Sequence, residues 1–294
     1  RVLGKGGGYT SDIADAITWA SGGTVSGVPT LSAANVADVI NMSLGGTGAC
    51  DTLTQNAINS AVSRGTTVVV AAGNSNANVA NFSPASCNNV VAVASVTSSS
   101  SRSSFSNYGT LIDVSAPGSN ILSTLNSGTQ GPGTENYVSY NGTSMAAPHV
   151  AGAVALAQSR RLALGLALWT PAQVEANLKS TAYALSGSCS GGCGAGIIDA
   201  RALVDLAGGS TPPPPPPPPT GGSLTKGVAV TGLAATTGNS LYYTLSVPAG
   251  STNLTFNMSG GTGDADLYVQ FGSAPTDTSY VCRPYLSGNS ETCT

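Results

Sequence analysis

Eight consecutive prolines, Pro212–Pro219, constrain this chain more than any other stretch. Each proline fixes φ at about −65° and carries no backbone N–H, so the run fits neither a helix interior nor a sheet ladder. It reads as an extended polyproline II spacer. Whatever lies on either side must therefore find its own core. The expected division is a first region over 1–208, a linker over 209–222 and a second region over 223–294.

The first region alternates strand and helix patterns. Ile13, Ala16, Ile17 and Ala20 recur at helical spacing, and Gly22-Gly23 ends the run. Residues 36–44 read as a buried strand stopped by Gly45-Gly46. A helical face of Leu53, Ala57, Ile58, Ala61 and Val62 follows, with Gly65 as its stop. Residues 66–72, centred on three valines, form the next strand. A strand, a helix and a strand at this spacing make a parallel sheet with a right-handed crossover. Residues 90–96 and 111–115 extend that sheet, and 120–125 with 137–140 predict a hairpin. Thr170-Pro171-Ala172-Gln173 is a capping-box signature, and Asp199 should cap a last helix. The fold class is α/β: a mostly parallel sheet with flanking helices.

Past the prolines the period changes to two. Leu241, Tyr243, Leu245 and Val247 alternate with polar residues, as do Leu254, Phe256 and Met258, then Leu267, Val269 and Phe271. Such alternation predicts a small antiparallel β-sandwich. It is incomplete, because four or five strands are readable where a two-sheet sandwich has about seven.

Composition excludes some partners. Thirteen acidic and ten basic residues in 294 leave no basic stripe for nucleic acid and no polybasic patch for membranes. No apolar run is long enough to span a bilayer. Arg1-Val2-Leu3-Gly4-Lys5 lacks the apolar stretch of an export signal. Six cysteines, Cys50, Cys87, Cys189, Cys193, Cys282 and Cys293, lack metal-ligand spacing and suggest disulfides in an oxidising compartment. Of the fifteen connectivities, sequential pairing (50–87, 189–193, 282–293) keeps each bond within one neighbourhood; free buried thiols are the alternative.

Chemistry concentrates in Asn141-Gly142-Thr143-Ser144-Met145-Ala146-Ala147-Pro148-His149-Val150-Ala151-Gly152. Ser144 opens a helix that is apolar all round, as expected of one buried in a core. It thus sits at the positive end of a helix dipole, where free N–H groups steady a developing anion. A serine there also makes an ordinary N-cap. Pro148 is expected within reach of the first turn. His149, the single histidine, lies five residues on, about 140° around the helix and roughly 7.5 Å along it. It faces away from the hydroxyl and is expected to be a packed, hydrogen-bonded core residue.

These twelve residues resemble the nucleophile segment of the subtilisin-like serine proteases. Tyr242-Tyr243-Thr244-Leu245, Gly263-Asp264-Ala265-Asp266-Leu267-Tyr268-Val269 and Cys282-Arg283-Pro284-Tyr285 resemble the pre-peptidase C-terminal domain of secreted bacterial proteases. The first resemblance implies a serine endopeptidase in which Ser144 is the nucleophile. Asn74, in Val70-Ala71-Ala72-Gly73-Asn74, would donate to the oxyanion. Ser43, Leu44 and Gly45 on one side, and Gly6, Gly7 and Gly8 on the other, would pair with the substrate backbone. Ala71, Ala72 and Gly73, with the stretch 80–84, would wall an uncharged side-chain pocket that prefers large apolar groups. Asp113 matches a cation position in some relatives, but the partnering carboxylate is missing, so a surface aspartate is expected. Asp264 and Asp266 suit turn and edge roles as well as calcium. No cofactor is required and no metal ligands are assigned; structural calcium stays open.

In the family the acid and the base precede the serine. No Asp-Thr-Gly-like or His-Gly-Thr-His-like motif occurs here, and Asp12, Asp15, Asp38 and Asp51 lie in segments that match later parts of the fold. The resemblance thus implies about two-thirds of a catalytic domain over 1–208, inactive alone for want of base and acid. The expected protein is secreted and monomeric, with polypeptide substrates and no nucleic-acid partner. A non-catalytic peptide- or surface-binding protein that keeps the cleft is the alternative. An esterase of the α/β-hydrolase type fails, since its histidine must follow at a distance.

Overall fold

The computed structural model describes residues 2–4, 6–129, 131–209, 221–235, 240–272, 274–275 and 280–294. The chain forms two compact units that part between Pro213 and Pro214. The expected linker lies outside the described residues except for 209, 221 and 222.

In the first unit the order is α1 (Thr10–Ala20), β1 (Val39–Met42), α2 (Thr52–Ser63), β2 (Thr67–Ala71), β3 (Val91–Val96), β4 (Val114–Pro117), β5 (Ile121–Asn126), β6 (Glu135–Tyr140), α3 (Thr143–Ala163), α4 (Pro171–Thr181) and α5 (Ala200–Ala207). Strands β1 to β4 make one parallel sheet in sequence order, with Val39 opposite Thr67, Val69 opposite Val91 and Val93 opposite Val114. Strands β5 and β6 pair antiparallel as a separate hairpin.

Alternate residues of β2 and β3 feed two cores. Val69, Ala71, Val91 and Val93 pack on one face with Val150 and Val154 of α3, Leu178 of α4 and Leu203 of α5. Val68, Val70, Ala92 and Ala94 pack on the other with Ala14 and Ile17 of α1 and with Ile58 and Ala61 of α2. Both faces are covered, which is why these strands read as unbroken apolar runs.

Local chemistry sets the helix ends. Asp51 caps α2 by accepting from the Thr54 N–H at 2.9 Å, and Asp199 caps α5 through the Ala202 N–H at 2.9 Å. Thr170 and Gln173 complete the capping box of α4. The three disulfides join Cys50 to Cys87, Cys189 to Cys193 and Cys282 to Cys293, the sequential pattern.

Several expectations give way. Strand β1 is shorter than 36–44, and only Met42 in it is buried, because among the described residues it is an edge strand with β2 as its sole neighbour. Helix α3 is not enclosed. Ala146, Ala147, Val150, Val154 and Ala157 face the sheet, while Pro148, His149, Gly152 and Leu156 form an exposed stripe, Leu156 at 60%. His149 is therefore a surface residue whose Nδ1 lies 2.7 Å from the Met145 carbonyl oxygen. Asp113 is no surface aspartate: its side chain is 13% exposed and lies 2.7 Å from Lys179 Nζ. Burial raises the Asp113 pKa against the pull of Lys179 and the Ala92 N–H. At Lys179 burial opposes the charge, but bonds to Asp113 and Glu175 outweigh it and hold the ammonium pKa above the ordinary lysine value.

The second unit is built from short pieces. Phe256–Met258 pairs antiparallel with Glu291–Cys293, and Tyr243–Thr244 pairs parallel with Gly222–Ser223. The alternation over 267–271 yields a single bridge, Val269 to Cys282. Asp264 takes a turn role, accepting from the Gly288 N–H at 2.6 Å. Among the described residues no cluster of three or more His, Cys, Asp or Glu is placed to hold a metal ion. No helix there is long and apolar enough to cross a membrane.

Candidate active site

Ser43 follows β1 and Asn74 follows β2, so both stand just beyond the carboxyl ends of adjacent parallel strands. Open α/β sheets hold their ligands at that end. Helix α3 starts against the same place. Gly142 precedes it, with its N–H donating to the Gly118 carbonyl at 2.8 Å.

Thr143 and Asn74 interlock. The Asn74 Oδ1 accepts from the Thr143 N–H at 2.8 Å and from the Thr143 hydroxyl at 3.0 Å. That hydroxyl in turn accepts from the Gly73 N–H at 3.0 Å. Two donors on the amide oxygen fix which way the carboxamide points and turn its Nδ2 outward. Among the described residues no acceptor is bonded to that Nδ2. A β-carbon placed on Gly142 would lie 3.6 Å from Asn74 Nδ2 and 3.6 Å from the Ser144 backbone nitrogen. Both nitrogens thus border one small space beside Gly142, and a methyl group at residue 142 would stand in it.

Pro148 lies inside α3 rather than in its first turn. Having no N–H, it leaves the Ser144 carbonyl without its helical donor. The Ser43 hydroxyl takes that place at 2.8 Å, and Asn41 Nδ2 donates to the same hydroxyl at 2.9 Å. The Ser144 hydroxyl reaches the Ser43 carbonyl at 3.4 Å, a long bond that leaves it free to turn. Ser144 is half-buried.

One cavity of about 410 Å³ gathers these groups. Its lining takes in Ser43–Thr47, Ala71–Ser75, Phe82, Ser83, Ala85, Thr143 and Ser144, with no charged side chain. Ser43, Leu44, Gly45, Ala71, Ala72, Gly73, Asn74 and Ser144 therefore share one space. Gly6, Gly7 and Gly8 do not line it. They lie on an exposed turn closed by mutual backbone bonds of Gly4 and Gly7. Of the stretch 80–84, only Phe82 and Ser83 take part. Thr47, Ser75, Ala85 and Thr143 were not anticipated. For Thr143 the signal was in view, a hydroxyl directly before the candidate nucleophile.

Residues 1–196, two thirds of the chain, match the Subtilase family. The chain belongs to the subtilase family. Residues 239–294 match the bacterial pre-peptidase C-terminal domain. An extracellular protease of Xanthomonas campestris pv. campestris is 64% identical over 295 residues, covering all of this chain and 49% of that protein. An alkaline serine exoprotease A of Vibrio alginolyticus is 41% identical over 301 residues, covering all of this chain and 50% of that protein. This subtilase chain thus spans about half the length of the curated relatives it matches. Among solved structures, a protease from Pseudoalteromonas arctica superposes with a TM-score of 0.66 at 54% identity, covering 70% of this chain and 61% of that one. The fold is subtilisin-like α/β.

Proposed function

We propose that this subtilase chain supplies the nucleophile and the oxyanion donors of a secreted serine endopeptidase. Ser144 Oγ attacks the substrate carbonyl carbon, its proton passes to a general base, and the carbonyl oxygen becomes an oxyanion between Asn74 Nδ2 and the Ser144 N–H. Collapse expels the amine, and water then releases the acyl group from Ser144. The observation that carries this reading is that both nitrogens border one space in the cavity that also takes in the half-buried Ser144. A donor held in place before the charge develops is worth roughly 10²–10³ in turnover, a figure measured on a subtilisin.

His149 does not serve as the base, since it sits on the exposed stripe of α3 bonded to Met145. The sequence has no second histidine. The reading therefore places acid and base outside these 294 residues, and the isolated chain is inert. The uncharged cavity lining fits an uncharged, large apolar substrate side chain. Secretion is supported by the extracellular names of the relatives and by three disulfides. No cofactor enters the chemistry, and the enzyme to which this chain contributes acts on polypeptides as a monomer.

A fluorophosphonate probe tests the assignment. The full-length protein should label at Ser144 and hydrolyse a chromogenic peptide, and S144A should lose both. Labelling elsewhere, or hydrolysis that survives in S144A, would sink it. A full-length protein that binds peptide without labelling would instead favour the non-catalytic binder.

A further inference from the structure

We propose that Asn107 is a positioning residue for turnover: its side chain holds the loop that aims Asn74 at the oxyanion. The inference rests on the reading of Asn74 given above and adds a residue that touches neither substrate nor serine.

Asn107 is fully buried. Its Nδ2 donates to the Ala72 carbonyl at 2.8 Å, and its backbone N–H donates to the Gly73 carbonyl at 2.9 Å. Its Oδ1 accepts from the Ser75 N–H at 3.0 Å and from the Ala77 N–H at 3.1 Å. One residue thus grips the backbone on both sides of Asn74, two and one positions before it and one and three positions after it.

That stretch has an unusual conformation. Gly73 has φ +100°, and Asn76 stands in the left-handed region at φ +48°. Asparagine is one of the few non-glycine residues that enters this region readily, and the bond from its N–H to the Phe105 carbonyl keeps it there. A β-carbon on Gly73 would come within 2.4 Å of Asn107 Nδ2. Glycine at 73 and asparagine at 107 are therefore matched to each other. Backbone bonds from Asn76 to Phe105 and between Tyr108 and Ala77 hold the far end of the loop. Nearer Asn74 the load is shared: Thr143 holds the Gly73 N–H and the Asn74 side chain, while the Asn107 amide holds Ala72, Ser75 and Ala77. With the amide gone, the Ser75 and Ala77 N–H groups lose their acceptor, and the loop can relax toward commoner backbone angles. Asn74 then leaves the line on which its Nδ2 meets the Ser144 N–H.

A double-mutant cycle in the full-length protein separates positioning from general support, because residues that act through one another are not additive. N107A should lower kcat roughly 10- to 100-fold with KM little changed, the scale of a small misplacement of a catalytic group. In the N74A background N107A should cause no further fall in kcat, although any loss of thermal stability remains. N107D keeps the acceptor for Ser75 and Ala77 and should retain more turnover than N107A. Should N107A not fold, the same cycle is run with N107D, whose smaller loss of kcat should likewise vanish in N74A. Equal losses in both backgrounds, or unchanged kcat in a folded N107A, would overturn the role of Asn107 alone. Absence of both turnover and fluorophosphonate labelling in the unaltered protein would overturn the oxyanion reading and this one with it.

Discussion

The two units solve the same problem by different means. Residues 2–209 bury continuous apolar strands between two helical layers, with Val69, Val70, Val93 and Val114 fully enclosed. The described residues of 221–294 bury little apolar surface and fasten themselves with bonds. Phe271 is 87% exposed and Val281 74%. In place of an apolar core, Cys282 is bonded to Cys293, and the buried Glu291 accepts from the N–H groups of Leu286 and Leu267. Arg283 sits among Tyr268, Tyr280 and Tyr285 with Asp266 beside it. A small unit with few strands lacks the area to stabilise itself by burial, so covalent and charged fasteners take over. The proposed chemistry lies in the first unit, where strands and a helix packed on a core hold its donors.

The comparison breaks if the first unit tolerates cavities. Ile58, fully buried in the core beside α1 and α2, should cost about 2–5 kcal/mol when changed to alanine, read from a denaturant midpoint. Little change in the midpoint would mean that apolar packing is not what holds this unit. The counterpart is C282S/C293S, which opens a link between residues eleven apart. It should destabilise the second unit by about 3 kcal/mol and leave the unfolding of the first where it was. Proteolysis followed by mass spectrometry separates the two, and faster cutting within residues 2–209 would contradict the division.

A smaller effect sharpens the picture within the first unit. D51A removes the cap of α2 and should cost about 1 kcal/mol at neutral pH. Hydrogen bonds from the Thr54 hydroxyl and N–H hold the Asp51 pKa below the ordinary carboxylate value. A lowered folded pKa gives stability that is present above the unfolded value and lost as pH falls through the folded one. The gap between wild type and D51A should therefore close in acid, as measured by urea midpoints over a pH series. A gap that stays constant would mean that the carboxylate charge contributes nothing to the cap.

Legibility in the sequence followed the range of the interaction. Thr170 with Gln173 and Asp199 with Ala202 are bonds across three residues, and each was readable from residue types alone. So were β2 and β3 as strands of a parallel sheet, since their apolar runs mark them as covered on both faces. The exposed stripe of α3 was not readable. Ala, Gly and Val on every side carry no information about which side meets the sheet. Nor was Asn107, an asparagine in a serine-rich loop whose partners lie 30 to 35 residues away.

By itself the amino-acid order determined the parallel α/β layout, the caps of α4 and α5 and the serine at the head of α3, and it favoured the disulfide pairing that the structure shows. Only the tertiary structure decided that Asn74 and Ser144 line one cavity, that the Asn74 amide oxygen is taken up by Thr143, and that Ser43 replaces the donor Pro148 lacks. Those arrangements join residues 69 to 101 positions apart. Their geometry is set by how the sheet and α3 pack, a quantity that no local preference of the chain encodes.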